Sequence, residues 1–223
     1  MLAFDRSRFV RSLAGAVSNL DNAFELGDRF AEQEIRRLHF VGCGAPNRLL
    51  SWLQYWAGGM SLDLEIHTHY AAEFVHYPPA HLDEHTLVLL ASHSGTTADT
   101  LDAARYASTK PCRIISLTQS ADSPLARSTG DVIPYGETDQ GYYAALMNSL
   151  AFFSGLVSKQ PGWKLHGPLK ESLPAVPGML ADVMESENEE SARLAESMAA
   201  DRVLYLIGAG AASRVAYVFA ACI

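Results

Sequence analysis

Short runs of branched and aliphatic residues alternate along the chain with longer stretches in which apolar positions recur every three or four residues. Unbroken or alternating apolar runs suit strands, and spacing near the helical repeat suits helices. Strands are predicted at Leu38–Gly42, Leu64–His67, Leu87–Ser92, Arg113–Thr118 and Asp131–Tyr135, with helices between them at about Arg48–Met60, Ala98–Ser108 and Gly141–Lys159. The run Leu87-Val88-Leu89-Leu90-Ala91 lacks polar alternation, so it reads as a central strand covered on both faces. Strands alternating with helices imply βα units, and the expected fold class is α/β: a doubly wound, five-stranded parallel sheet in a flavodoxin-like three-layer sandwich.

Outside that core the pattern changes. Met1–Glu34 reads as one N-terminal helical segment, residues 35–160 as the first α/β domain, and 161–202 as a connector. The connector opens with Gln160-Pro161-Gly162-Trp163, holds Pro168, Pro174, Pro177 and Gly178, and ends in a charged helix around Ala181–Ala200 whose Glu185, Glu187, Glu189 and Glu190 form a solvated acidic run. From 203 the chain echoes itself. Leu38-His39-Phe40-Val41-Gly42-Cys43-Gly44-Ala45 returns as Leu204-Tyr205-Leu206-Ile207-Gly208-Ala209-Gly210-Ala211, with Arg48 and Arg214 in matching places. Such an echo implies the start of a second similar unit. One strand and one helix cannot bury a sheet, so that unit is expected to be incomplete at the C-terminus.

Composition narrows the function. A chain of 223 residues that is 48% hydrophobic suits one large globular domain or somewhat more. A formal net charge of −8 disfavours nucleic acid and anionic membranes as partners. The three cysteines, Cys43, Cys112 and Cys222, are widely spaced and suggest neither a disulfide framework nor a zinc site. No apolar signal core opens the chain, and no run reaches the ~18 apolar residues of a membrane span, so a cytoplasmic protein is expected.

The candidate chemistry is concentrated in one turn. Strand Leu87–Ala91 runs into Ser92-His93-Ser94-Gly95-Thr96-Thr97 and then into the helix Ala98-Asp99-Thr100. Hydroxyls and a glycine ahead of a helix N-terminus, at the carboxyl end of a parallel strand, gather donors around a space suited to a phosphate monoester. These residues could equally cap a helix, although four hydroxyls in six positions exceed what a cap requires. The turn Gly42-Cys43-Gly44-Ala45-Pro46 allows close backbone approach to a ligand. It could also open a dinucleotide fold, but the third glycine is absent and Glu65 sits near the start of the second strand, not its end. His67, His69, His76, His81 and His85 lack a carboxylate or cysteine at ligand spacing and read as surface or packed residues; no metal is expected.

Ser-x-Ser-Gly-x-Thr followed by Ala-Asp-Thr, with Gly-Cys-Gly after the first strand, resembles the SIS (sugar isomerase) domain over about Ile35–Tyr135, including the isomerase half of glucosamine-6-phosphate synthase. The resemblance implies that Ser92, His93, Ser94 and Thr97 hold the sugar phosphate, with Cys43, Gly44 and Ala45 lining the sugar end; His93 replaces the glutamine common in the synthase. Ala72-Glu73-Phe74-Val75-His76-Tyr77-Pro78-Pro79 is similar to a segment of double-SIS deglycases acting on 6-phosphofructosyl amino acids. By that likeness Glu73 lies near the pocket mouth or a dimer seam, and otherwise it is a helix-start residue favoured by the dipole. Glu137–Tyr143 occupies the place of a loop over the sugar, which makes Gln140 a candidate contact; Tyr142 and Tyr143 stand where relatives carry a lysine or a serine-threonine pair. His166-Gly167-Pro168 imitates a string of the second copy but lies in the connector, and is set aside.

The function implied is a cofactor-independent deglycase or aldose-ketose isomerase acting on a phosphorylated sugar or fructosamine, working as a homodimer. The resemblance puts its carboxylate base in the second copy, just past Ile223, so the catalytic residues are unassigned; the matching position in the first copy is Met60, which cannot transfer protons. An aminosugar-phosphate isomerase or deaminase is an alternative. A non-catalytic sugar-phosphate sensor is another, although Met1–Glu34 is too short for the DNA-binding domain that such regulators carry. An amidotransferase would need an N-terminal cysteine nucleophile, which Met1-Leu2-Ala3 does not supply.

Overall fold

A computed structural model describes residues 5–138 and 141–198, together with 205, 207–209 and 212. Apart from those last few positions, the second unit expected from 203 lies outside the described residues. Helices α1 (Arg6–Ser18) and α2 (Leu20–Ala31) precede β1 (Arg37–Gly42), α3 (Ala45–Ala57), β2 (Glu65–Tyr70), α4 (Ala71–His76) and β3 (Thr86–Ala91). There follow α5 (Ala98–Ser108), β4 (Arg113–Thr118), α6 (Pro124–Thr129), β5 (Asp131–Pro134) and α7 (Gly141–Leu156). After these come α8 (His166–Ser172), a 3-10 turn at Leu173–Ala175, α9 (Val176–Ser186) and α10 (Asn188–Met198).

The strands form one sheet in the order β2-β1-β3-β4-β5, every pair parallel. This is the doubly wound arrangement expected, and its order reverses between β1 and β3. The alternation of β3 shows why helices cover both faces. Leu87 and Leu89 enter the core cluster shared with α2, α3 and α7, while Val88 and Leu90 enter the cluster shared with α4, α5 and α6; all four are fully buried.

Several elements differ from the pattern-based expectation. The N-terminal segment is two helices, because the chain breaks at Asn19 and α2 then turns Leu20, Ala23, Phe24, Leu26 and Phe30 inward. Helix α3 begins earlier, with Pro46 in its first turn, where a missing amide hydrogen costs nothing, and it stops before Gly58 and Gly59. The connector is largely helical and carries Trp163, Leu173 and Ala181 into the core. Its charged helix divides at Glu187 into α9 and α10. Among the described residues no helix is long and apolar enough to cross a membrane.

Strand β2 runs past its apolar portion to Tyr70, which explains part of the histidine cluster. Pairing sets His39 opposite His67 and Val41 opposite His69, so three imidazoles share one face. The His39 ring lies 5.1 Å from each of the other two, with its Nδ1 2.9 Å from His69 Nε2. Among the described residues no group of histidine, cysteine and acidic side chains is arranged to hold a metal ion.

Burial, reinforced by His69, His67 and Arg37, pushes His39 down to about 3, and burial also lowers His69. The unfolded chain takes up a proton near pH ~6.5 that folded His39 refuses, so stability is full above that pH and falls as pH drops toward 3. Lowering the pH from about 7 to about 5 is therefore expected to cost roughly 1–2 kcal/mol in urea unfolding, with a smaller loss in His39→Phe. Equal losses in both proteins would exclude His39 as the source.

Candidate functional site

Gly42 of β1 pairs with Ala91 of β3, so the turns that follow these two strands emerge side by side where the strand order reverses. In doubly wound sheets that crevice is where ligands bind. The turn after β3 is tightly organised. Ser92 Oγ accepts from Gly95 N at 3.1 Å and lies 2.9 Å from Thr97 Oγ1; Ser94 Oγ accepts from Thr96 N at 3.2 Å and lies 2.8 Å from Thr96 Oγ1. Thr97 is the N-cap residue of α5, yet its side chain makes no capping bond. The hydroxyls therefore bond to each other and to the turn, and each can rotate to present its hydrogen to an anion. Ser94 and Thr96 are exposed, Thr97 is half-buried, and Ser92 is buried beneath them.

Gly95 makes this shape possible. Its φ of +65° is costly for residues bearing a Cβ. A Cβ there would also overlap the Ser123 side chain and lie 3.0 Å from Thr118 Oγ1. Its carbonyl accepts from Leu125 N at 3.0 Å, which ties the turn to the start of α6, where Ser123 caps by accepting from Ala126 N.

On the β1 side, Gly44 is the N-cap of α3 with φ +59°. A Cβ on Gly44 would meet nothing within 4 Å, so backbone conformation, not space, demands glycine there. Cys43 reaches across to α5: its sulfur accepts from Thr100 Oγ1 at 3.9 Å and lies 4.0 Å from Asp99 Oδ2. Beside the turns is a cavity of about 350 Å³ lined by Ala45, Pro46, Leu49, His93, Tyr135, Thr138, Gly141, Tyr142 and Ala145. Its wall is largely apolar, and His93 joins it to the hydroxyl turn.

The site thus brings Ser92, His93, Ser94 and Thr97 together on one turn, with Cys43, Gly44 and Ala45 on its neighbour. Glu73 is exposed in the first turn of α4, beyond edge strand β2, and its charge acts on His69; it is not part of the cavity wall. Gln140 lies outside the described residues. His166 is structural: it meets the Phe24 ring edge-on at 5.5 Å, with its Nδ1 3.2 Å from the Ser154 carbonyl oxygen. Sequence reasoning did not find Tyr135. The available signal was its position just past β5, at the same carboxyl edge of the sheet as the two turns.

The SIS domain profile matches residues 34–157. The chain belongs to the SIS domain family. The agropine synthesis conjugase of Rhizobium rhizogenes is 28% identical over 215 residues, covering 95% of this chain and 60% of that protein. Fructosamine deglycase FrlB of Bacillus subtilis is 27% identical over 194 residues, covering 85% and 58%. Among solved structures, a protein assigned as a phosphosugar isomerase from Salmonella typhimurium LT2 superposes with a TM-score of 0.79 at 25% identity, over 90% of this chain and 63% of that one. The chain spans less than two thirds of the length of each of these three proteins.

Proposed function

We propose that this SIS chain binds the phosphate of a sugar and belongs to a deglycase or aldose-ketose isomerase acting on a fructose 6-phosphate derivative, with 6-phosphofructosyl amino acids as the preferred class. The observation that carries the reading is the turn of rotatable hydroxyls, Ser92 to Thr97, at the sheet's switch point beside a cavity of about 350 Å³. Four or five hydrogen bonds to a phosphate, at roughly 1.5–3 kcal/mol each, hold a dianion without a lysine. The start of α5 adds its positive end. Two relatives support the substrate class: one is named a fructosamine deglycase and the other, from Escherichia coli, a fructoselysine 6-phosphate deglycase.

In this reading the phosphate is the anchor and the opened sugar extends over Ala45 and His93 into the cavity. A carboxylate base takes a proton from C1, the enolamine is reprotonated at C2, and water hydrolyses the resulting imine to glucose 6-phosphate and the free amine. No cofactor is needed, because every step is a proton transfer or an addition of water. The base belongs to the second unit implied by the echo at Leu204–Arg214, and the protein acts as a homodimer.

The test is to incubate the full-length protein with a 6-phosphofructosyl amino acid, fructose 6-phosphate and glucosamine 6-phosphate while following glucose 6-phosphate release. Release from the first substrate is expected. Tight binding of all three with turnover of none would replace the enzyme by a sensor.

A further inference from the structure

Tyr135 joins the site to β5. Its amide donates to the Thr118 carbonyl at 3.1 Å, its side chain is almost wholly buried, and its ring stacks on His93 at 5.8 Å and 27°. Its hydroxyl lies 2.7 Å from His93 Nδ1. On the α7 side the imidazole is confined by Gly141, where a Cβ would overlap the ring and come within 2.7 Å of Nδ1. Both rings line the cavity, and His93 is at the same time the second residue of the hydroxyl turn.

This contact has a direction. Burial raises the Tyr135 phenol well above its ordinary titration range, so the hydroxyl keeps its hydrogen. Among the described residues the acceptor available to that hydrogen is His93 Nδ1. The reverse arrangement, with Nδ1 donating, would leave a buried O–H without an acceptor. Nδ1 is thus the acceptor, and the ring hydrogen of neutral imidazole sits on Nε2.

We propose that Tyr135 is a positioning residue that fixes His93 in its Nε2–H tautomer, so that His93 offers its Nε2–H to an oxygen of the ligand held at the Ser92–Thr97 turn. The ligand half of this proposal rests on the phosphosugar reading; the tautomer half does not. A donor whose hydrogen is already placed pays no reorganisation when the ligand arrives.

The test has two arms. Heteronuclear NMR of the imidazole nitrogens at about pH 8 should show His93 wholly in the Nε2–H tautomer, and Tyr135→Phe should let it relax toward the mixture of tautomers of a free imidazole. The His93→Gln spectrum assigns the signal. An Nδ1–H tautomer in the parent, or an unchanged tautomer population in Tyr135→Phe, overturns the proposal. In the second arm, Tyr135→Phe should weaken fructose 6-phosphate binding about fivefold to tenfold, and should have no effect in a His93→Gln background, where no tautomer exists to be fixed. Equal effects in both backgrounds would reduce Tyr135 to a packing residue. If fructose 6-phosphate fails to bind even the parent, the phosphosugar reading and the ligand half fall together, and the NMR result alone decides the role of Tyr135.

Discussion

Ser94→Ala combined with Thr97→Ala is expected to weaken fructose 6-phosphate binding about a hundredfold in calorimetric titration, with the urea midpoint essentially unmoved. Each hydroxyl hydrogen bond to a charged oxygen contributes roughly 1.5–3 kcal/mol, so losing two costs at least ~3 kcal/mol, and ~1.4 kcal/mol is tenfold in affinity. The turn itself should survive. Its main ties are Gly95 N to Ser92 Oγ and Leu125 N to the Gly95 carbonyl, and neither involves the substituted side chains. Ser94 is exposed and Thr97 half-buried, so water can replace the bonds they make within the turn. Unchanged affinity would mean that the hydroxyls shape the turn and bind nothing.

Gly27→Ala is expected to destabilise the protein by about 3 kcal/mol, the loss that severe overpacking brings. Helices α2 and α7 cross with their backbones in contact. A Cβ on Gly27 would overlap the Phe152 carbonyl oxygen and lie 2.8 Å from Leu156 N and 2.9 Å from Gly155 Cα. Every one of those neighbours is backbone, so no side chain can rotate away, and the helices would have to separate. Separation would loosen the packing around Phe30 and Phe152, whose rings now meet edge-on at 6.1 Å. Alanine is intrinsically the better helix former by up to ~1 kcal/mol, which opposes the effect without cancelling it. Gly178→Ala in α9 is the control, because a Cβ there meets nothing within 4 Å, and a small gain in stability is expected. A gain at Gly27 in urea unfolding would contradict the close crossing.

The features that were legible in the sequence are those whose causes are local. Strand β4 and helix α5 match the expected Arg113–Thr118 and Ala98–Ser108 residue for residue, because an apolar run and a hydroxyl-rich start mark them within a few positions. The residue pattern predicts strand β2 only as far as His67, since Thr68-His69-Tyr70 has no apolar alternation; those residues are strand because β1 pairs with them. The proline-bearing segment after Lys159 reads as exposed connector, yet Trp163 is buried against Phe153 of α7 and Trp56 of α3. No local pattern carries a contact of that kind.

The site divides the same way. Ser92 to Thr97 lie within six positions of one another, so their joint chemistry, and with it the SIS resemblance, could be read from the chain alone. Tyr135 and Gly141 are far along the chain, and their meeting with His93 was decided by the sheet. Periodicity reports which face of a strand is buried and does not report which strand lies beside it. The sequence by itself determined an α/β chain with a hydroxyl turn at a helix start. Only the tertiary structure, through the order β2-β1-β3-β4-β5, set that turn beside Gly44 and Ala45 and placed His93 against Tyr135, because strand neighbours are chosen by contacts between residues distant in the chain.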